Sequence, residues 1–107
     1  IKLVTTETTN ITSLKNFVAE NGSMIISSDY RELKLDEDIL HFLLINSLNL
    51  CHLSIKSRKI EGDGRGLSVL KQLTRLQSLN MRECSKLTCP PDLSGCPDLR
   101  SLSMKYC

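Results

Sequence analysis

The residues with the strongest intrinsic chemistry in this chain are five cysteines, two histidines, a triplet of carboxylates and a glycine-rich loop. Four of the cysteines fall late, at Cys84, Cys89, Cys96 and Cys107. Structural zinc sites draw their thiolates from close C-x-x-C pairs. No spacing here is of that kind, and the two histidines, His41 and His52, are remote in sequence. An odd number of thiols at such spacings argues against a complete disulfide framework and fits a reducing compartment. Free cysteine is most often a small buried apolar residue, and that is the role expected of Cys84 and Cys107.

Gly62-x-Gly64-x-Gly66 precedes an apolar-periodic run, a place where backbone N–H groups can cradle a phosphate. It lacks the Lys-Ser/Thr of a P-loop and the strand–turn–helix spacing of a dinucleotide fingerprint, so a flexible connecting loop is expected. Asp36-Glu37-Asp38 carries enough charge to hold a cation, but a carboxylate run at a helix start is more simply a partner of the helix dipole. Neither histidine has a serine or cysteine at a recognisable motif spacing, so no nucleophilic triad is expected. The expectation is therefore a non-enzymatic chain with no metal and no cofactor. Asn10-Ile11-Thr12 and Asn21-Gly22-Ser23 are glycosylation acceptor sequences, relevant only in a secreted chain.

Composition narrows the partner. At 107 residues the chain holds one domain at most. Its net charge of +2, from 14 basic and 12 acidic residues, does not call for nucleic acid or a membrane surface. Four aromatics and no tryptophan leave no base-stacking platform. The longest apolar stretch, Ile39 to Ile45, is interrupted by His41 and is far too short to span a bilayer. Residues 1–30 lack the basic start, apolar middle and small-residue cleavage site of a signal peptide.

The elements that would position these residues follow from periodicity. Ile1 to Thr5 reads as a short strand. Thr12 or Ser13 is placed to cap a helix bearing Ile11, Leu14, Phe17 and Val18 on one side, ended by Asn21-Gly22. Met24 to Ser27 is an extended run. Acidic residues before Ile39, Leu40, Leu43 and Leu44 predict a helix over 38–47. Glu61 to Gly66 is a loop, and Leu67, Leu70, Leu73 and Leu76 recur at three-residue spacing in a short helix. Pro90-Pro91 forbids regular helix in the following connection.

Above this level stands a repeat. Leu76-x-x-Leu79-x-Met81-x-x-Cys84 returns at Leu99-x-x-Leu102-x-Met104-x-x-Cys107, and its apolar spacing is shared by Leu50-x-x-Leu53-x-Ile55 and Tyr30-x-x-Leu33-x-Leu35. The intervals are 20, 26 and 23 residues. A period in that range means one supersecondary unit stacked on itself, because a single unit cannot bury its own apolar face. The expected fold is an α/β solenoid, with a parallel sheet on its concave face and short helices and irregular segments on the convex face. Residues 1–29 form an irregular N-terminal unit, and residues 30–107 form the repeats. The last repeat is cut short at Cys107, as in a piece of a longer protein.

Alternate strand side chains face opposite ways. Leu79 and Met81 are expected to point inward, and so is Leu102. The outward set is expected to make one continuous binding face: Arg31, Glu32, Lys34 and Asp36; His52, Ser54 and Lys56; Ser78, Asn80 and Arg82; Ser101, Ser103 and Lys105. It is polar, mixed in charge and more basic toward the C-terminus.

The segment LQSLNMRECSKL from Leu76 to Leu87 resembles the leucine-rich repeat signature L-x-x-L-x-L-x-x-N/C-x-L, with Met81 at the third leucine and Cys84 at the Asn/Cys position. The Leu50 copy departs from it with Arg58 at the Asn/Cys position, and the Tyr30 copy with Asp38. Within that family, the run from Leu87 to Cys107 resembles repeats of plant intracellular nucleotide-binding leucine-rich-repeat immune receptors. The resemblance implies a cytoplasmic recognition and autoinhibition module for plant defence and innate immunity. Its face would contact a pathogen protein or a neighbouring domain of the same receptor. The substrate-recruiting repeats of F-box ubiquitin-ligase adaptors are a sibling reading. A secreted repeat effector or adhesin is the other, and the two sequons would support it.

Overall fold

A computed structural model describes residues 1–105; Tyr106 and Cys107, and with them the expected role of Cys107, lie outside the described residues. The chain is α/β. Five strands, β1 (Lys2–Val4), β2 (Ser27–Asp29), β3 (His52–Lys56), β4 (Ser78–Arg82) and β5 (Ser101–Lys105), form one parallel sheet in chain order. Parallel neighbours cannot be joined by a tight turn. Each connection therefore crosses the inward side of the sheet: helix α1 (Ile11–Asn21), helix α2 (Glu37–Ile45), a 3₁₀ segment (Leu67–Gln72), and an irregular stretch through Pro90-Pro91.

Local sequence explains each connection. Asn10 caps α1 by accepting from the Ser13 N–H at 2.9 Å, in place of the expected Thr12 or Ser13. Asp36 caps α2 through the Ile39 N–H at 2.8 Å. The three-residue leucine spacing matches a 3₁₀ period of three residues per turn, and Leu67, Leu70, Leu73 and Leu76 are all buried. Behind the sheet, Leu14, Val18, Leu40, Leu43, Leu44, Leu67 and Leu70 close on Leu53, Ile55, Leu79 and Met81 to make the core. The connections run backbone against backbone in places. A Cβ on Gly22 would fall 1.6 Å from the Asn46 carbonyl oxygen, and one on Gly95 would fall 2.0 Å from that of Lys71.

The backbone repeats its own hydrogen bonds. The carbonyl of Ile26 accepts from both Cys51 and His52 N–H, that of Cys51 from Gln77 and Ser78, and that of Gln77 from Arg100 and Ser101. A turn closes just ahead of four strands in the same way, with the N–H of Ile25, Leu50, Leu76 and Leu99 donating to the carbonyl three residues earlier.

These registers correct the early part of the expected repeat. Tyr30-x-x-Leu33-x-Leu35 does not start a strand; β2 lies upstream at Ser27–Asp29. Ladder partners are Leu3, Ser28, Leu53, Leu79 and Leu102, so the intervals are 25, 25, 26 and 23 residues. A buried serine at the inward position of β2 breaks the leucine pattern, while Leu33 and Leu35, buried in the turn after the strand, imitate it. Lys34 is consequently off the sheet, in that same turn. The sheet also runs without interruption across the boundary expected at residue 30.

Leu102 is a second correction. It is 49% exposed, against 1% for its ladder partner Leu79, because β5 is the outer strand and no described element covers its far side.

Candidate functional site

The outward side of the sheet gathers nine of the ten expected binding residues into rows. His52, Ser78 and Ser101 make one row, continued by Ser27 and Lys2 on β2 and β1. Ser54, Asn80 and Ser103 make the next, continued by Asp29 and Val4. Lys56, Arg82 and Lys105 make the third, at the carboxyl ends of their strands. All are half-buried or exposed, as the alternation requires. Neighbouring strands in a sheet are about 4.8 Å apart, so the third row is a line of closely spaced cations. Lys2, Val4, Ser27 and Asp29 belong to the same face but not to the expected set, because the register of β1 and β2 is hidden by Ser28 and by Thr5, which continues β1 inward.

Two side-chain contacts mark this face, one across the strands and one local. His52 Nδ1 and Ser78 Oγ share a hydrogen bond of 2.7 Å across 26 residues. A proton-transferring Ser–His pair needs a third group to orient the imidazole, and no carboxylate bonds His52 among the hydrogen bonds of the described residues. Arg31 grips Asp29 in a fork, Nε to Oδ1 at 3.0 Å and Nη2 to Oδ2 at 2.7 Å. That hydrogen bonding holds the Asp29 carboxyl below its ordinary range and raises Arg31 in return.

At the carboxyl ends of β2 and β3 the face falls into a cleft of about 420 Å³, floored by Leu33 and Leu35 and bordered by Arg31, Glu32, Lys34, Lys56, Arg58, Lys59 and Glu83. A second hollow beside it adds Arg82. Lys34 and Lys56 therefore meet here, although one is on a strand and the other in a turn. Glu83 sits at φ 53°, a left-handed conformation uncommon for a residue with a side chain, and its carboxylate takes Lys56 Nζ at 2.9 Å. The Lys56 hydrogen bond, first among the causes, lowers the Glu83 pKa. The twist at Glu83 delivers Cys84 inward, fully buried, with its thiol donating to the Arg82 carbonyl at 3.6 Å.

The two other sequence candidates answer each other. The Glu37 carboxylate accepts the backbone N–H of Glu61 at 2.7 Å and of Gly66 at 2.6 Å. The glycine-rich loop is thus an anion cradle, and its anion is the chain's own. A Cβ on Gly64 would fall 2.5 Å from Glu37 Oε1, so a side chain there would push the carboxylate aside. Asp38 pairs with Arg65 at 3.3 Å while Asp36 caps α2, so all three carboxylates of the run have partners inside the fold.

Cys96, buried, donates its thiol to the Leu70 carbonyl at 3.3 Å, and burial pushes its pKa up. Among the described residues no group of three or more metal-ligating side chains is assembled, and no helix is long and apolar enough to cross a membrane. Comparison with protein-family models, with curated proteins and with solved structures returns no match.

Proposed function

We propose that this chain is a non-enzymatic protein-recognition module built as a leucine-rich-repeat solenoid, with the outward sheet face as its binding surface. The observation that carries the reading is the in-register repetition of the outward rows, ending in the line Lys56, Arg82, Lys105. Repeat arrays use such extended faces to bind partners. Side chains held on paired strands also lose little further entropy when a partner docks. The residue resemblance favours the repeat region of a plant cytoplasmic immune receptor, whose face would take a pathogen protein or a neighbouring domain of the same receptor. F-box adaptor repeats and a secreted effector are the alternatives. Nothing in the charge balance calls for nucleic acid.

The test is a pull-down from plant cytosol with the wild-type chain and an Arg82→Ala/Lys105→Ala variant, partners being read by mass spectrometry. Both side chains reach solvent, so the variant should fold with a melting curve close to wild type. A defined protein retained by wild type and lost by the variant supports the face. Identical partner sets from two folded chains reject it.

A further inference from the structure

The cleft at the carboxyl ends of β2 to β4 holds more positive charge than its own carboxylates absorb. Six of the chain's 14 basic residues border it or the adjoining hollow: Arg31, Lys34, Lys56, Arg58, Lys59 and Arg82. Only three of the 12 acidic residues, Asp29, Glu32 and Glu83, accompany them, so the rest of the chain carries eight basic and nine acidic residues. Charge is therefore segregated to one place on a nearly neutral molecule. Asp29 holds Arg31 and Glu83 holds Lys56. Lys34, Arg58, Lys59 and Arg82 make no close ion pair among the described residues, although the Glu83 carboxylate also attracts Arg58 and Arg82.

Concavity matters as much as charge. A cleft with an excess of one sign of charge concentrates the field on what enters it, and here five cations of the lining face two carboxylates, Glu32 and Glu83. Leu33 and Leu35 contribute its apolar lining. The cleft volume of about 420 Å³ lies in the range of small-ligand sites. An acidic peptide would spread its charges along several residues. Clustered phosphates pack comparable charge into a volume this cleft can hold, and Arg and Lys both bond phosphate oxygens well.

We propose that this cleft binds a small polyanion bearing clustered phosphate groups, held by Lys34, Arg58 and Lys59 beside Leu33 and Leu35, with Arg82 reaching it from the adjoining hollow. The site overlaps the recognition face at Arg82, but Lys34, Arg58 and Lys59 are not on strands, so their charge reversal tests the cleft separately from the pull-down variant. Glu83 is its internal competitor: it occupies Lys56, and a phosphate group would take that cation over.

Titration calorimetry of the full chain with sodium tripolyphosphate tests this. Saturable binding is expected, weakening with salt. Lys34→Glu/Arg58→Glu should lower affinity about tenfold or more. Lys86→Glu/Arg100→Glu, the same charge change on other exposed residues, should alter it by only about twofold, because screening weakens distant charges. Glu83→Gln should bind more tightly, a gain that misfolding cannot imitate. Sedimentation with phosphatidylcholine vesicles containing a phosphatidylinositol bisphosphate distinguishes a lipid headgroup from a free phosphate compound. Binding of either probe that is lost in Lys34→Glu/Arg58→Glu supports the cleft. Failure of both probes, an equal loss in the two charge-reversal variants, or no gain with Glu83→Gln overturns it.

Discussion

Leu79 and Leu102 are the same residue in the same motif, side by side on adjacent strands, yet one is 1% exposed and the other 49%. Their local sequences, SLNMR and SLSMK, differ little, and both form five-residue strands. What differs is the neighbourhood. Leu79 lies between Leu53 and Leu102 on the ladder and joins the core cluster with the 3₁₀ leucines. Leu102 has Leu79 on one side and no described strand on the other. The shared motif therefore specifies a strand and its inward face, while burial depends on having a neighbour on both sides. At the opposite end, where β1 is the outer strand, the inward Leu3 is partly buried and packs against the core.

The sharpest way to break this comparison is a pair of truncations. Leu79→Ala should cost about 2–5 kcal/mol in urea or thermal unfolding, from lost burial plus the cavity left behind. Leu102→Ala should cost under about 1 kcal/mol, since a half-exposed side chain leaves little cavity. Equal costs would mean that the motif, not the neighbour, sets the energetics. A second experiment removes cover without touching an apolar side chain. Glu37→Ala leaves the Glu61 and Gly66 N–H groups without their acceptor and loosens the loop that leads into the 3₁₀ segment. About 1–3 kcal/mol of stability should be lost, with faster amide exchange at residues 61–66. Wild-type exchange there would show that the carboxylate is not what fixes the loop.

The smallest effect belongs to the solvent-facing side. Asp29 has a folded pKa below its ordinary 3.8, so its stabilising contribution is present above that value and is lost as pH falls through the folded one. With Arg31 partly exposed, that contribution should be under about 1 kcal/mol. Asp29→Asn should then flatten the acid limb of a urea-midpoint profile slightly. An unchanged profile would assign the acid sensitivity to other carboxylates.

Much of the later chain is legible in residue order. The alternation SLNMR makes β4, the three-residue leucine spacing makes a 3₁₀ segment, and carboxylates before an apolar run start α2. The outward rows of β3 to β5 follow, because a strand's side chains alternate whatever surrounds it. The first two strands are harder to read. The inward position of β2 is Ser28, with buried Tyr30 just beyond the strand, and the polar residue hides the period while Leu33 and Leu35 suggest a false one. Register could have exposed the His52–Ser78 contact, since both residues stand just before an inward leucine and lie one period apart.

By itself, then, the sequence determined the strand pattern of the later repeats, the inward and outward faces, and the helix starts. These depend on neighbours within a few residues along the chain. Tertiary structure alone decided the rest: Leu102 exposed, Lys34 beside Lys56 in a cationic cleft, and the Gly62–Gly66 loop closed on Glu37 rather than open to an outside anion. Each of these depends on groups some 22 to 29 residues apart, brought together only when one strand and its crossover pack on the next.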